Sequence, residues 1–131
     1  MTAAARRLKN ARTCYRHLAG WLGVALADAL IAERWLEDDG RRYRLTPTGT
    51  RSLCVLGIDV APRGAEAPAR RCLDWTERRP HVAGPVGTAL AKVALDRGWV
   101  RRLRGTRAVA VTPPGRAQLE KVFNLRWEER P

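Results

Sequence analysis

The strongest constraint on this chain is that it contains itself twice. The run His17 to Ala27 (HLAGWLGVALA) is echoed by His81 to Ala91 (HVAGPVGTALA), and at the same offset Trp35 and Leu36 fall on Trp99 and Val100. After a two-residue insertion Leu45 to Gly49 (LTPTG) falls on Val111 to Gly115 (VTPPG), and the match runs on to Leu53 and Leu119. A duplicated supersecondary unit cannot bury its apolar face alone, so the two copies are expected to pack on each other about a pseudo-two-fold axis.

Each copy reads as the same string of elements. Apolar residues at helical spacing predict helices over 13–34 (Leu18, Leu22, Leu26, Leu30) and 81–97 (Val82, Val86, Leu90, Val93). Trp35, Leu36 and Tyr43 to Leu45 around Asp38-Asp39-Gly40 predict a hairpin, as do Trp99, Val100 and Ala108 to Val111 around Gly105. Thr46 before Pro47 and Thr112 before Pro113 place a capping hydroxyl ahead of a proline suited to a first helical turn. The expected fold is therefore α+β, mostly α: two tandem winged-helix-like repeats, 1–60 and 69–124, joined by a Pro- and Gly-containing linker at 61–68 and followed by a tail at 125–131. Residues 69–79 fit an amphipathic helix leading into the second copy. Ala19, Gly23 and Ala29, with Ala83, Gly87 and Val93, have the spacing of a helix-turn-helix, and an uninterrupted helix packed through small residues accounts for them equally.

Charge narrows the partners. There are 25 Lys and Arg against 13 Asp and Glu, a formal net charge of +12, which points to a polyanion such as double-stranded DNA. The segment Ala25 to Glu33 is apolar and acidic, poor in groups that read base edges. The basic residues lie elsewhere: Arg6, Arg7, Lys9 and Arg12 near the N-terminus, Arg41, Arg42 and Arg44 on the first wing, Lys92 before the second, and Arg101, Arg102, Arg104 and Arg107 on it. Such positions suit phosphate contacts, which give affinity and register without sequence information. No apolar run approaches the roughly 18 residues of a membrane span, so a cytoplasmic protein with no membrane partner is expected, its three cysteines kept as thiols.

The segment Ala11 to Gly20 (ARTCYRHLAG), the stretch Arg71 to Gly84 (RCLDWTERRPHVAG) and the repeated Leu-Thr-Pro-x-Gly together resemble the C-terminal part of longer ArsR-type winged-helix transcription regulators, over roughly residues 10–122. The resemblance implies a bacterial regulator that binds promoter DNA as a homodimer and answers a metal or another chemical signal. In those longer regulators a separate N-terminal winged helix does the main DNA reading, which leaves a dimerisation or effector-sensing module as the rival reading. The Cys-x-Cys metal motif of that family's DNA-binding helix is absent here.

One constellation has chemistry of its own. Cys14 and His17 sit three apart, and Cys72 with His81 would complete a soft four-ligand set for zinc or another transition metal if the copies pack symmetrically. Cys14, flanked by Arg12 and Arg16, also has the setting of a redox thiol. The plainer expectation needs no cofactor: each histidine on its own backbone partner, each cysteine in a separate apolar pocket. Asp74 and Glu77, flanking Trp75, read as solvated charges. No serine, histidine and carboxylate set or phosphate-cradling loop appears, so an enzyme is not expected.

Overall fold

The computed structural model describes residues 1–60 and 67–127. Most of the expected 61–68 linker and the last four residues of the tail fall outside these. The described residues form an α+β body of five helices and four two-stranded antiparallel hairpins. In chain order these are α1 (Ala3–Asn10), β1 (Arg12–Cys14), β2 (His17–Ala19), α2 (Gly20–Ala32), β3 (Leu36–Asp38), β4 (Tyr43–Leu45) and α3 (Pro47–Val55). The chain continues with β5 (Arg70–Leu73), β6 (Pro80–Ala83), α4 (Gly84–Asp96), β7 (Val100–Arg102), β8 (Val109–Val111) and α5 (Pro113–Phe123). None of the helices is long and apolar enough to cross a membrane.

The hairpins at β3–β4 and β7–β8 and the capped helices after them form where the residues predict. Thr46 accepts the amide of Gly49, and Thr112 that of Gly115. The segments before them differ from expectation. No helix starts at 13 or at 81: β1 pairs with β2 in the register Arg12↔Ala19, Thr13↔Leu18, Cys14↔His17, around a turn where Tyr15 adopts φ 57°. Residues 70–73 and 80–83 form the matching hairpin, with Cys72↔His81 in register, where the amphipathic helix at 69–79 was expected. The apolar pairs Leu18/Leu22 and Val82/Val86 straddle a junction at which a strand runs straight into a helix, and their four-residue spacing mimics one continuous helix. α2 and α4 are then uninterrupted from Gly20 and from Gly84, so no helix-turn-helix forms at 19–29 or 83–93.

The two halves grip each other reciprocally. α2 packs on β6 and α4 on β2. A small cavity between them is lined by three matching pairs, Leu18 with Val82, Gly23 with Gly87 and Leu26 with Leu90. A β-carbon on Gly23 would stand 3.3 Å from the Cβ of His81, and one on Gly87 3.2 Å from the Cβ of His17. Each helix needs a glycine there chiefly because the carbonyl group of the strand before it, Leu18 or Val82, would meet a β-carbon first, and the other half's histidine closes the same space. Around this junction lies one core, in which Phe123 of α5 sits between Trp35 (ring centroids 5.3 Å apart) and Trp99 (6.1 Å), again at equivalent positions of the two halves. The β7–β8 hairpin also extends β1, through Thr13 N–H to the Arg107 carbonyl (3.0 Å) and Val109 N–H to the Ala11 carbonyl (3.1 Å).

Gly87→Ala is expected to destabilise the protein by about 1–3 kcal/mol, the usual cost of overpacking a filled core. Its new methyl would meet the Val82 carbonyl carbon at 2.8 Å as well as His17. A urea denaturation midpoint equal to wild type would show that the junction has slack.

Candidate metal centre at the junction of the halves

The β1–β2 hairpin presents Cys14 and His17 as a directly cross-strand pair, and the β5–β6 hairpin presents Cys72 and His81 in the same way. Reciprocal packing sets the two hairpins face to face. One ligand atom from each of the four side chains then lies within 4.8 Å of all the others, with both histidines buried and both cysteines partly so. The imidazoles are 4.9 Å apart, centroid to centroid. Separate pockets for these four residues are therefore not what forms. The i, i+3 helical relation of Cys14 and His17 is replaced by a closer cross-strand one.

The four side chains are two thiols and two imidazoles, donors of a kind that a transition metal can take. Burial, the neighbouring His81 and Arg70 push the His17 imidazole down to about 4, so it is neutral near pH 7 with a lone pair free. Burial also lowers His81, against the opposing pull of Asp74. Burial and the nearby Cys14 raise the Cys72 thiol. The Nδ1 of His17 and the Nε2 of His81 are buried with no hydrogen-bond partner among the described residues, and such groups call for a partner, a water or an ion. Four borderline-soft donors suit zinc or a similar cation, whose bonds of about 2.0–2.3 Å would draw the set inwards by about an ångström. They do not suit magnesium or calcium, which require oxygen.

Behind His81 stands a residue that reads from the sequence as a solvated charge and is in fact fully buried, Asp74. Its Oδ2 bonds His81 Nδ1 (2.9 Å) and accepts the Gly20 amide (2.6 Å). Its Oδ1 accepts from Arg12 Nη2 (3.0 Å), the Thr76 hydroxyl (2.8 Å) and the Thr76 and Glu77 amides (3.0 and 3.2 Å). Burial alone would raise its carboxyl; the bonds from Thr76, Gly20 and Glu77 outweigh that and hold it well below the usual carboxylate range. A carboxylate bonded to one ring nitrogen turns the other towards a metal, the arrangement that orients histidine ligands. The readable signal was Asp-x-Thr after a short strand, a local turn in which the side chain captures the next amides in place of a helix.

Arg12 needs correcting as a DNA contact. It is completely buried, paired with Asp74, and lies under the Trp75 ring (4.4 Å). The other basic residues named from the sequence stay accessible: Arg6, Arg7, Arg41, Arg42, Arg44, Lys92, Arg101, Arg102, Arg104 and Arg107 are exposed and Lys9 is half-buried. Arg44 pairs with Glu37 and Lys92 with Asp96. Arg7, Arg101 and Arg104 line one groove between α1 and the β7–β8 hairpin.

The chain is 38% identical over 121 residues, 91% of its length, to YdfF of Bacillus subtilis (strain 168), an uncharacterized HTH-type transcriptional regulator. It spans about half of that relative, 54%. No family model and no solved structure matches the chain.

The neutral imidazoles make a pH signature. An unfolded histidine takes a proton near pH 6.5, whereas His17 in the fold resists until about 4. The unfolded state therefore binds more protons across that interval, and stability falls as pH falls from 6.5 to 4, by up to about 3 kcal/mol for a shift of this size. Asp74 adds to the loss lower down, below the ordinary carboxylate value. Urea midpoints of the metal-free protein, measured from pH 7 to 4, are expected to decline, and to decline less in His17→Gln; equal slopes for the two proteins would contradict this.

Proposed function

We propose that this chain is the metal-responsive, effector-sensing module of a transcription regulator of ArsR type, its tandem winged-helix-like repeats holding one transition-metal ion at their junction. The observation that carries the reading is the convergence of Cys14, His17, Cys72 and His81 from two equivalent hairpins, with His81 already oriented by Asp74. The likeness to a longer protein named as a transcriptional regulator supports the regulatory half of the reading. Bound there, the ion supplies a crosslink: it ties β1–β2 to β5–β6, and so one half of the chain to the other. The chain's part is to give up two thiol protons, to offer two neutral imidazoles, and to hold one of them through Asp74.

Purified protein, loaded with zinc and passed through a desalting column, is expected to retain one zinc per chain. The Co(II) form should show thiolate-to-metal charge-transfer absorption. Cys14→Ser with Cys72→Ser should lose both signals, and chelation should lower the melting temperature of the wild type, since about a thousandfold excess of ion over its Kd contributes about 4 kcal/mol to the folded state. Zinc that neither stays bound nor raises the melting temperature overturns the reading.

A second reading, contact with double-stranded DNA through the basic hairpins, is favoured by the groove that gathers Arg7, Arg101 and Arg104, none of which forms an ion pair among the described residues. Each phosphate neutralised steepens the salt dependence of binding by about 0.9 in log–log slope. Arg101→Ala with Arg104→Ala is then expected to flatten the slope by about 1.8, measured by fluorescence anisotropy on duplexes of unrelated sequence. An unchanged slope would remove this face from the interface.

A further inference from the structure

The two wings of the repeat share a register but carry opposite charge. Leu36↔Leu45 in the first hairpin corresponds to Val100↔Val111 in the second, so each residue of β3 has a counterpart in β7. Where β3 runs Glu37-Asp38 and on to Asp39-Gly40, β7 runs Arg101-Arg102 and on to Leu103-Arg104. Glu37 faces Arg44 across its hairpin and pairs with it, whereas Arg101 faces Ala110 and gains no such partner. The helices differ as well: the second residue of α2 is Trp21, and that of α4 is Pro85. Folding of the wing requires none of these exchanges, since the first half manages without them, and they meet at one groove.

That groove, of about 730 Å³, lies between α1, the start of α2 and the β7–β8 hairpin. Its floor is apolar. Trp21, Leu103, Val111 and Trp127 line it and are only half-buried, and α1, which forms one wall, has no buried residue. The Trp21 and Trp127 rings lie 5.5 Å apart, centroid to centroid. Trp127 adds an indole N–H that is buried with no acceptor among the described residues. At the rim stand Arg7, Arg101 and Arg104, all exposed and none in an ion pair among the described residues.

We propose that this groove is a binding site for a small organic anion with an aromatic body, of the aryl carboxylate class, its ring laid on the apolar floor and its carboxylate held by the rim arginines. An aromatic floor gains most from a flat hydrocarbon ring, and guanidinium groups without a partner gain most from a planar anion that accepts two bonds at once. The volume falls within the range of ordinary small-molecule sites, about 300–1,000 Å³. A DNA phosphate would meet the same arginines but has no apolar surface to lay on the floor, so the floor separates the two ligands. The groove shares no residue with the four Cys and His side chains, and the proposal does not rest on the metal-binding reading.

Calorimetric titration of the full chain with naphthoate, and with naphthamide as its neutral counterpart, tests this. Naphthoate is expected to bind one to one and naphthamide at least about tenfold more weakly, the lower end of what hydrogen bonds to a charged group contribute. Arg101→Glu, which gives β7 the residue β3 carries at the same place, is expected to remove that preference while naphthamide binds as before. Trp127→Ala is expected to weaken both ligands at least about tenfold, the loss of one well-packed aromatic contact. Should that variant not fold, Leu103→Asn, at a position where the first half tolerates Asp39, is expected to weaken both in the same way. Equal affinity for the two ligands, a preference that survives Arg101→Glu, or binding indifferent to Trp127→Ala and Leu103→Asn overturns the proposal. No binding of naphthoate by the wild type overturns it too, and leaves the arginines to phosphate and the Cys/His site untouched.

Discussion

A carboxylate buried without water must be surrounded by donors or it will not stay charged, and the way Asp74 meets that demand organises half of this molecule. It collects donors from its own turn, from the start of α2, from Arg12 on β1 and from His81 on β6. β1 and the start of α2, more than fifty residues away, are thereby fixed at one point to the turn and to β6. Arg12 answers the reverse need, since a guanidinium with no exposure to water requires an anion and gets this one. Neither group is tolerable without the other, which makes the link between the first hairpin and the turn before β6 close to obligatory.

Around that point the repeat supplies economy. Because each helix lies on the other half's strand, every feature of the junction is used twice: a glycine under a histidine, a leucine or valine beside the small cavity, a tryptophan against Phe123. The same exchange makes a composite site from two incomplete ones. A single Cys/His pair is a weak ligand set, and packing brings two of them together, with one atom from each side chain within 4.8 Å of the others. The protein's polar interior is then not a defect of its core: two orphaned ring nitrogens beside two thiols are what a soft cation would satisfy.

The basic character divides into two kinds that composition cannot tell apart. Most arginines stand on hairpins and on α1, in water, where their charge acts at a distance. Arg12 belongs to the interior and contributes nothing to the outer field. Only the partner of each guanidinium separates the two roles, and partners come from packing.

Much of the fold was legible because its signals are local. Turn residues between short alternating runs marked the β3–β4 and β7–β8 hairpins, threonine before proline marked the starts of α3 and α5, and the repeat itself required the halves to share a core. The first hairpins were not legible, because Leu18/Leu22 and Val82/Val86 carry a helical spacing across a strand–helix junction, and a period of four is blind to where the helix begins. Asp74 passed as a surface charge for a related reason: its partners Arg12 and Gly20 lie more than fifty residues away, and no periodicity records a long-range bond. The residues themselves named Cys14, His17, Cys72 and His81 as donors of the right chemical kind. Their meeting depended on two hairpins being turned face to face by reciprocal packing, since convergence in space is a property of the packed halves and not of any segment in either.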